Sequence, residues 1–217
     1  MRKIGIVGRI GAGKICFFRL VEIEEGKIHI DGQDIRLISL HSLRRKISVI
    51  PQTPFIFSAS VKYNLDPFGK HTDEDLWKVL EFARLRKKVE GFPLQLEELL
   101  HPTSLSVGEK QLVCLARALI RNNHILLMDE ATANVDRDTD SFIQDTVKQY
   151  FEKCTVLTIA HRLDTIVDYD EVFVMADGML AEHGSPRELA ADPGSKFADM
   201  IQSAGKHAET LLKKLGR

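Results

Sequence analysis

A glycine-rich stretch, Gly8-Arg9-Ile10-Gly11-Ala12-Gly13-Lys14, follows directly on a short apolar run, KIGIVG (Lys3–Gly8). The β-branched residues and closing glycine of that run mark a buried strand. The segment beyond the glycines, ICFFRLVEI (15–23), reads as a short helix. Strand, glycine turn and helix in that order confine the chain to an α/β design. The GxxxxGK spacing lets the backbone curl until successive N–H groups point at one centre, an anion nest at a helix N-terminus. Lys14 would reach the β- and γ-phosphates of a bound nucleotide. The next position, where a Ser or Thr hydroxyl would ligate Mg²⁺, holds Ile15. Isoleucine offers no oxygen to a metal that demands a near-octahedral oxygen shell, so metal placement should suffer while phosphate cradling survives.

The remaining periodicities extend the same design. EEGKIHIDGQDI alternates around Asp31-Gly32 and predicts a small hairpin. KISVIPQ is a strand stopped by Pro51. Thr72 is an N-cap with Asp73, Glu74 and Asp75 in the first turn, followed by an apolar face of Leu76, Val79, Leu80 and Ala83. A second helix begins after Ser106. HILLMDE and CTVLTIAH are fully buried strands, and EVFVMADGMLAEHG is a terminal hairpin turning at Asp177-Gly178. Strands separated by helices imply a mainly parallel sheet flanked by helices. The tail beyond Pro186 is helical, and its last part, HAETLLKKLGR, reads as a solvated helix with frayed ends.

Composition excludes several classes. A chain of 217 residues with net charge −1 carries no overall basic field for nucleic acid. No apolar run reaches the roughly 18–20 residues that cross a bilayer. Cys16, Cys114 and Cys154 are widely spaced with no CxxC pair, which predicts buried reduced thiols rather than a zinc site or disulfide framework.

Several further residues carry chemistry. Ser106 and Gly108, in LSVGEKQ, would place a hydroxyl and closely approached N–H groups at a helix start, a second anion-binding end. Asp129 and Glu130 tip a buried strand, where one carboxylate holds Mg²⁺ through water and the next orients the attacking water. His161 follows TVLTIA and would contact a γ-phosphate. Gln52 follows KISVIP.

Phosphate loop, glutamine, LSVGE, acid-tipped strand, Asp136 and histidine occur in one order, and that series resembles the ATP-binding cassette family over nearly the whole chain. IPQTPFIFSASVKYNLDPF, LSVGEKQLVCLARALI, MDEATANVD and IAHRLDTI look like the C-terminal cassette of subfamily C transporters, the multidrug-resistance-associated type. The resemblance implies a P-loop NTPase occupying 1–217, with a helical signature subdomain over about 60–116. It implies ATP and Mg²⁺ as ligands. Gly8, Gly11, Gly13 and Lys14 then form the Walker A motif, Gln52 the Q-loop that touches metal and membrane domains, and Ser106 and Gly108 the signature. Asp129 becomes the Walker B aspartate, Glu130 the catalytic glutamate, Asp136 the D-loop and His161 the switch histidine. Partners implied are a second cassette clamped head to tail and the transmembrane domains of an exporter, which would hold the chain at the cytoplasmic face of a membrane; no nucleic acid is implied.

The chain departs from that pattern at several points. The family's antiparallel β subdomain, with its adenine-stacking aromatic, precedes Walker A; with Walker A at Gly8 it is expected to be largely missing. The stretch between Lys14 and Phe18 is short by about four residues, roughly one helical turn, which also removes the expected Ser or Thr. Glu109 stands where glutamine is usual. Two functions compete: an ATPase that energises an exporter, and an impaired cassette that serves as nucleotide-binding, dimerisation or regulatory partner, or is an inactive fragment. The subfamily-C stretches argue against the soluble cassettes of translation or DNA repair.

Overall fold

The computed structural model describes residues 1–9, 11–14, 25–129, 135–160 and 162–216. Ile15 and Cys16, the expected helix over 15–23, Glu130 and His161 lie outside the described residues.

Strand β1 (Lys3–Gly8) is the hub. It pairs in parallel with β6 (Thr155–Ile159) on one side and β7 (Glu171–Ala176) on the other, so Ile6 and Val7 are wholly buried. The chain then forms a hairpin of β2 (His29–Ile30) and β3 (Gln33–Asp34). Asp31 and Gly32 at its turn both have positive φ, 50° and 78°, as a two-residue type I′ hairpin requires. Helix α1 (Leu40–Arg45) leads into β4 (Ile47–Ile50), which ends at Pro51, where the missing N–H closes the ladder.

A helical unit follows: α2 (Val61–Leu65), α3 (Asp73–Phe82), α4 (Arg86–Glu90) and the long α5 (Val107–Arg121). Thr72 caps α3 as the sequence implies, in a capping box with Asp75. Leu76, Val79, Leu80 and Ala83 pack into an apolar cluster with Val61, Leu65, Leu100 and Val113. Helix α5 belongs to two cores, because its opposite face brings Cys114, Leu115 and Ala118 against Ile50, Leu126 and Met128 of the sheet.

Strand β5 (Ile125–Asp129) joins β4 to β6, and α6 (Arg137–Tyr150) covers it. Strand β8 (Met179–Gly184) adds an antiparallel edge beside β7, so the six-stranded order is β4-β5-β6-β1-β7-β8. The Asp177-Gly178 hairpin falls where the sequence placed it. Helices α7 (Pro186–Ala191), α8 (Lys196–Ser203) and α9 (Ala208–Lys214) close the chain. The expectation of a solvated, frayed tail is wrong. Leu211 and Leu215 are buried with Phe197, Ile201, Val172 and Val174, and Arg187 Nε donates to the Leu215 carbonyl at 2.9 Å. The alternation of leucines in the tail feeds an existing core rather than water.

Cys114 and Cys154 are buried free thiols, and burial raises the pKa of both, so neither is a ready thiolate at neutral pH. Among the described residues no helix is long and apolar enough to cross a membrane.

Candidate nucleotide site

Strand register decides which of the candidate residues meet. Ile6 of β1 and Asp129 of β5 both pair with Ile159 of β6, so they stand level on either side of it. Ile50 of β4 pairs with Met128, which puts Pro51 level with Asp129 and Gln52 just beyond. The glycine loop, Asp129 and Gln52 therefore emerge together from the carboxyl edge of the parallel strands. That edge is where open α/β sheets bind ligands.

The loop's shape depends on its glycines. At Gly8 φ is +153°, and a Cβ there would stand 2.3 Å from the carbonyl oxygen of Met175 on β7. Gly11 and Gly13 have φ of +84° and +86°, a region that side-chain-bearing residues rarely adopt. Gly13 packs against the second hairpin, 3.4 Å from the Cα of Gly178 measured from an ideal Cβ. Ala12, 5% exposed, seals the loop's underside against Ile6, Ile159 and Met175. Lys14 turns back over the loop and is 8% exposed. Its Nζ donates to the carbonyls of Gly8 at 2.7 Å and Arg9 at 3.0 Å. The ammonium is thus fixed to the loop's own backbone, and glycine amides with an enclosed cation fit a phosphate chain.

A metal is less fully provided for. Among the described residues no group of three or more His, Cys, Asp or Glu could hold one. Asp129 is half-buried at its strand end. A strand-end carboxylate suits Mg²⁺ that takes its other oxygens from phosphates and water. Gln52 is exposed.

Ser106 and Gly108 open α5. Ser106 is the N-cap: its Oγ accepts from the Glu109 N–H at 3.2 Å, and the Glu109 carboxylate accepts from the Ser106 N–H at 2.8 Å. The sequence departure at Glu109 thus completes a capping box. Lys88 approaches the other carboxylate oxygen at 3.1 Å. Burial pushes the Glu109 carboxyl up, but the Ser106 amide and Lys88 outweigh it and hold the group below its ordinary value. Gly108 abuts the start of α6, where an ideal Cβ would lie 3.6 Å from Asp136 Oδ2. Asp136 caps α6 through the Thr139 N–H and hydroxyl, at 2.9 and 2.8 Å.

A cleft of about 1090 Å³ opens on the other side of the loop. Gly8, Arg9, Gly11 and Ala12 form one wall, and Met200, His207 and Leu211 of the C-terminal helices face them. Lys14, Asp129, Gln52, Ser106 and Gly108 do not line it. This cleft is therefore beside the expected chemistry, not over it.

Sequence reasoning missed three polar contacts. Arg162 forks between Asp140, at 2.8 Å, and Asp164, at 2.7 Å, tying the loop after β6 to α6. Arg117, largely buried, donates to the Phe55 carbonyl at 2.6 Å and to Asn64. Gln111 donates from α5 to the Pro51 carbonyl at 2.9 Å. Only Gln111 had a legible signal, as a polar residue inside the stripe of Cys114, Leu115 and Ala118.

Comparison with known proteins places the chain in a family. The ABC transporter family matches over residues 1–133. ATP-binding cassette sub-family C member 2 of Rattus norvegicus is 49% identical over 94% of the chain, which spans 14% of that protein's length. Sub-family C member 4 of Mus musculus is 50% identical over 97% of the chain, again a short stretch, 16%, of the relative. Among solved structures, a bacterial Atm1-family ABC exporter with ATP bound superposes with a TM-score of 0.85 at 34% identity, over 94% of this chain and 37% of that one. The chain belongs to the ABC transporter family, as a nucleotide-binding domain whose sequence aligns with subfamily C.

Proposed function

We propose that this domain binds ATP with Mg²⁺ and hydrolyses it to drive the membrane domains of an exporter, paired head to tail with a second cassette at the cytoplasmic face of a membrane. The observation that carries the reading is the common strand edge of the positive-φ glycine loop, the enclosed Lys14 ammonium and Asp129. Mg²⁺ bound with the nucleotide would neutralise phosphate charge. Lys14, already fixed to the Gly8 and Arg9 carbonyls, stabilises the charge that grows on the transferred phosphoryl group. Asp129 and Gln52 hold the metal side. The sequence assigns Glu130 to orienting the attacking water and His161 to the γ-phosphate. Ser106 uses its oxygen to cap α5, which leaves its O–H, with the Gly108 amide, to meet nucleotide held by the partner cassette. Asp136 stands beside that end.

Ile15 favours a second reading: a cassette whose own loop binds nucleotide without placing Mg²⁺ and whose signature completes a partner's site. Phosphate release from MgATP by the purified chain separates the two. The first reading gives a rate that climbs more steeply than protein concentration, as two copies clamp, and that Lys14→Ala abolishes. Absence of phosphate release at any concentration, with nucleotide still bound, overturns the first reading in favour of the second.

A further inference from the structure

Gln111 is 1% exposed, in the midst of the apolar face that α5 turns toward the sheet. Its Nε2 donates to the Pro51 carbonyl at 2.9 Å. Its Oε1 is enclosed just as deeply and has no hydrogen-bond partner among the described residues. A buried, half-satisfied amide calls for an explanation, because methionine would fill the same space without an orphaned acceptor. Pro51 supplies the explanation. Proline has no N–H, so its carbonyl is the one polar group it offers, and that carbonyl shares a rigid peptide plane with the Gln52 nitrogen. Gln111 thus grips the backbone of Gln52 at one remove. Three residues on from Cys114 along α5, Arg117 holds Phe55 and Asn64, so the segment from Pro51 to Asn64 is pinned to one helix at two places. The same helix begins at the Ser106 cap.

We infer that Gln111 is a positioning residue that ties the signature helix to the loop bearing Gln52, so that the metal side of the site and the phosphate-binding end of α5 keep one fixed relation. The tie itself stands on the contacts above; its consequence for Mg²⁺ deepens the cassette reading and rests on it.

The test compares the wild-type chain with Gln111→Met and Gln111→Leu, neither of which can donate to Pro51. Amide hydrogen exchange is read first, without ligand. Residues 52–57 should exchange about tenfold faster in both variants, with β4 and the rest of α5 unchanged, since one local hydrogen bond is lost. For Gln111→Met the melting temperature should hold or rise, because the orphaned acceptor is gone. A purely packing role would instead lower the melting temperature and speed exchange throughout α5 and β4, and that result, or unchanged exchange at 52–57, overturns the proposal. Should Gln111→Met fail to fold, Gln111→Leu decides by the same exchange criterion. ATP affinity is then titrated with Mg²⁺ and with EDTA. The variants should keep the metal-free affinity and lose most of the gain that Mg²⁺ brings; an undiminished gain breaks the link to the metal side. If the wild type binds no ATP at all, the cassette reading fails, while the exchange result still decides the tie.

Discussion

Gly8 shows how little freedom the phosphate loop has. The chain leaves β1 so close to β7 that a methyl group would overlap the Met175 carbonyl, whose oxygen is backbone and cannot swing aside. Gly8→Ala should therefore cost about 1–3 kcal/mol of stability through overpacking and displace the loop, which thermal unfolding and ATP titration would both register. Gly11 has open space around it and only its φ of +84° to defend, so Gly11→Ala should cost less. Glu109 makes a different prediction. Its carboxyl titrates below its ordinary value in the folded chain, so the stability it adds is complete above the unfolded value. That contribution is lost as pH falls through the folded value. Denaturant unfolding followed from neutral into acid pH should show Glu109→Gln with a shallower decline than wild type; parallel curves would contradict the capping box. The loop's glycines and lysine were legible from spacing alone, because their chemistry is local. Glu109 was legible only as an oddity, since its partners Ser106 and Lys88 become neighbours through helix geometry and packing.

Elements with their own punctuation were read correctly. Thr72 with its acidic first turn, Pro51 after an apolar run and the Asp-Gly turns each state a boundary in adjacent residues. The last helix of the tail was misread because its periodicity announces an apolar face without saying what lies opposite. Opposite lies the β1–β7 part of the sheet, through Val7, Val172 and Val174. A frayed tail would tolerate truncation of its leucines. The packed tail should lose about 2–4 kcal/mol in Leu211→Ala, measured by denaturant midpoint. A change within a few tenths of a kcal/mol would restore the solvated reading. Helix α5 was placed correctly as an element, yet its double membership, in the helical cluster and in the sheet core, required seeing both faces filled.

At the scale of the molecule, parallel register does what no motif shows singly, bringing the ends of β1, β4 and β5 to one edge. The helical cluster meets the sheet unit through more than α5. Arg84 lies 3.9 Å over the Phe142 ring of α6, and Phe82 contacts Tyr150 at 5.0 Å between ring centroids. A double-mutant cycle of Arg84→Gln with Phe142→Leu should return a coupling of about 0.5–1 kcal/mol. A coupling near zero would mean that the Arg84–Phe142 contact does not help to join the two units. The order of motifs made the family readable from sequence; the place of a cleft beside the loop, and the ties through Gln111, Arg117 and Arg162, depend on folding and were not. The central claim is that the loop from Gly8 to Lys14 is a working nucleotide cradle. Calorimetric titration of the purified chain with ATP, with and without Mg²⁺, tests it most directly. The account predicts saturable binding that Lys14→Ala abolishes or weakens at least about tenfold, the loss of one charge-assisted contact. No binding by the wild type, or binding indifferent to Lys14→Ala, would contradict it.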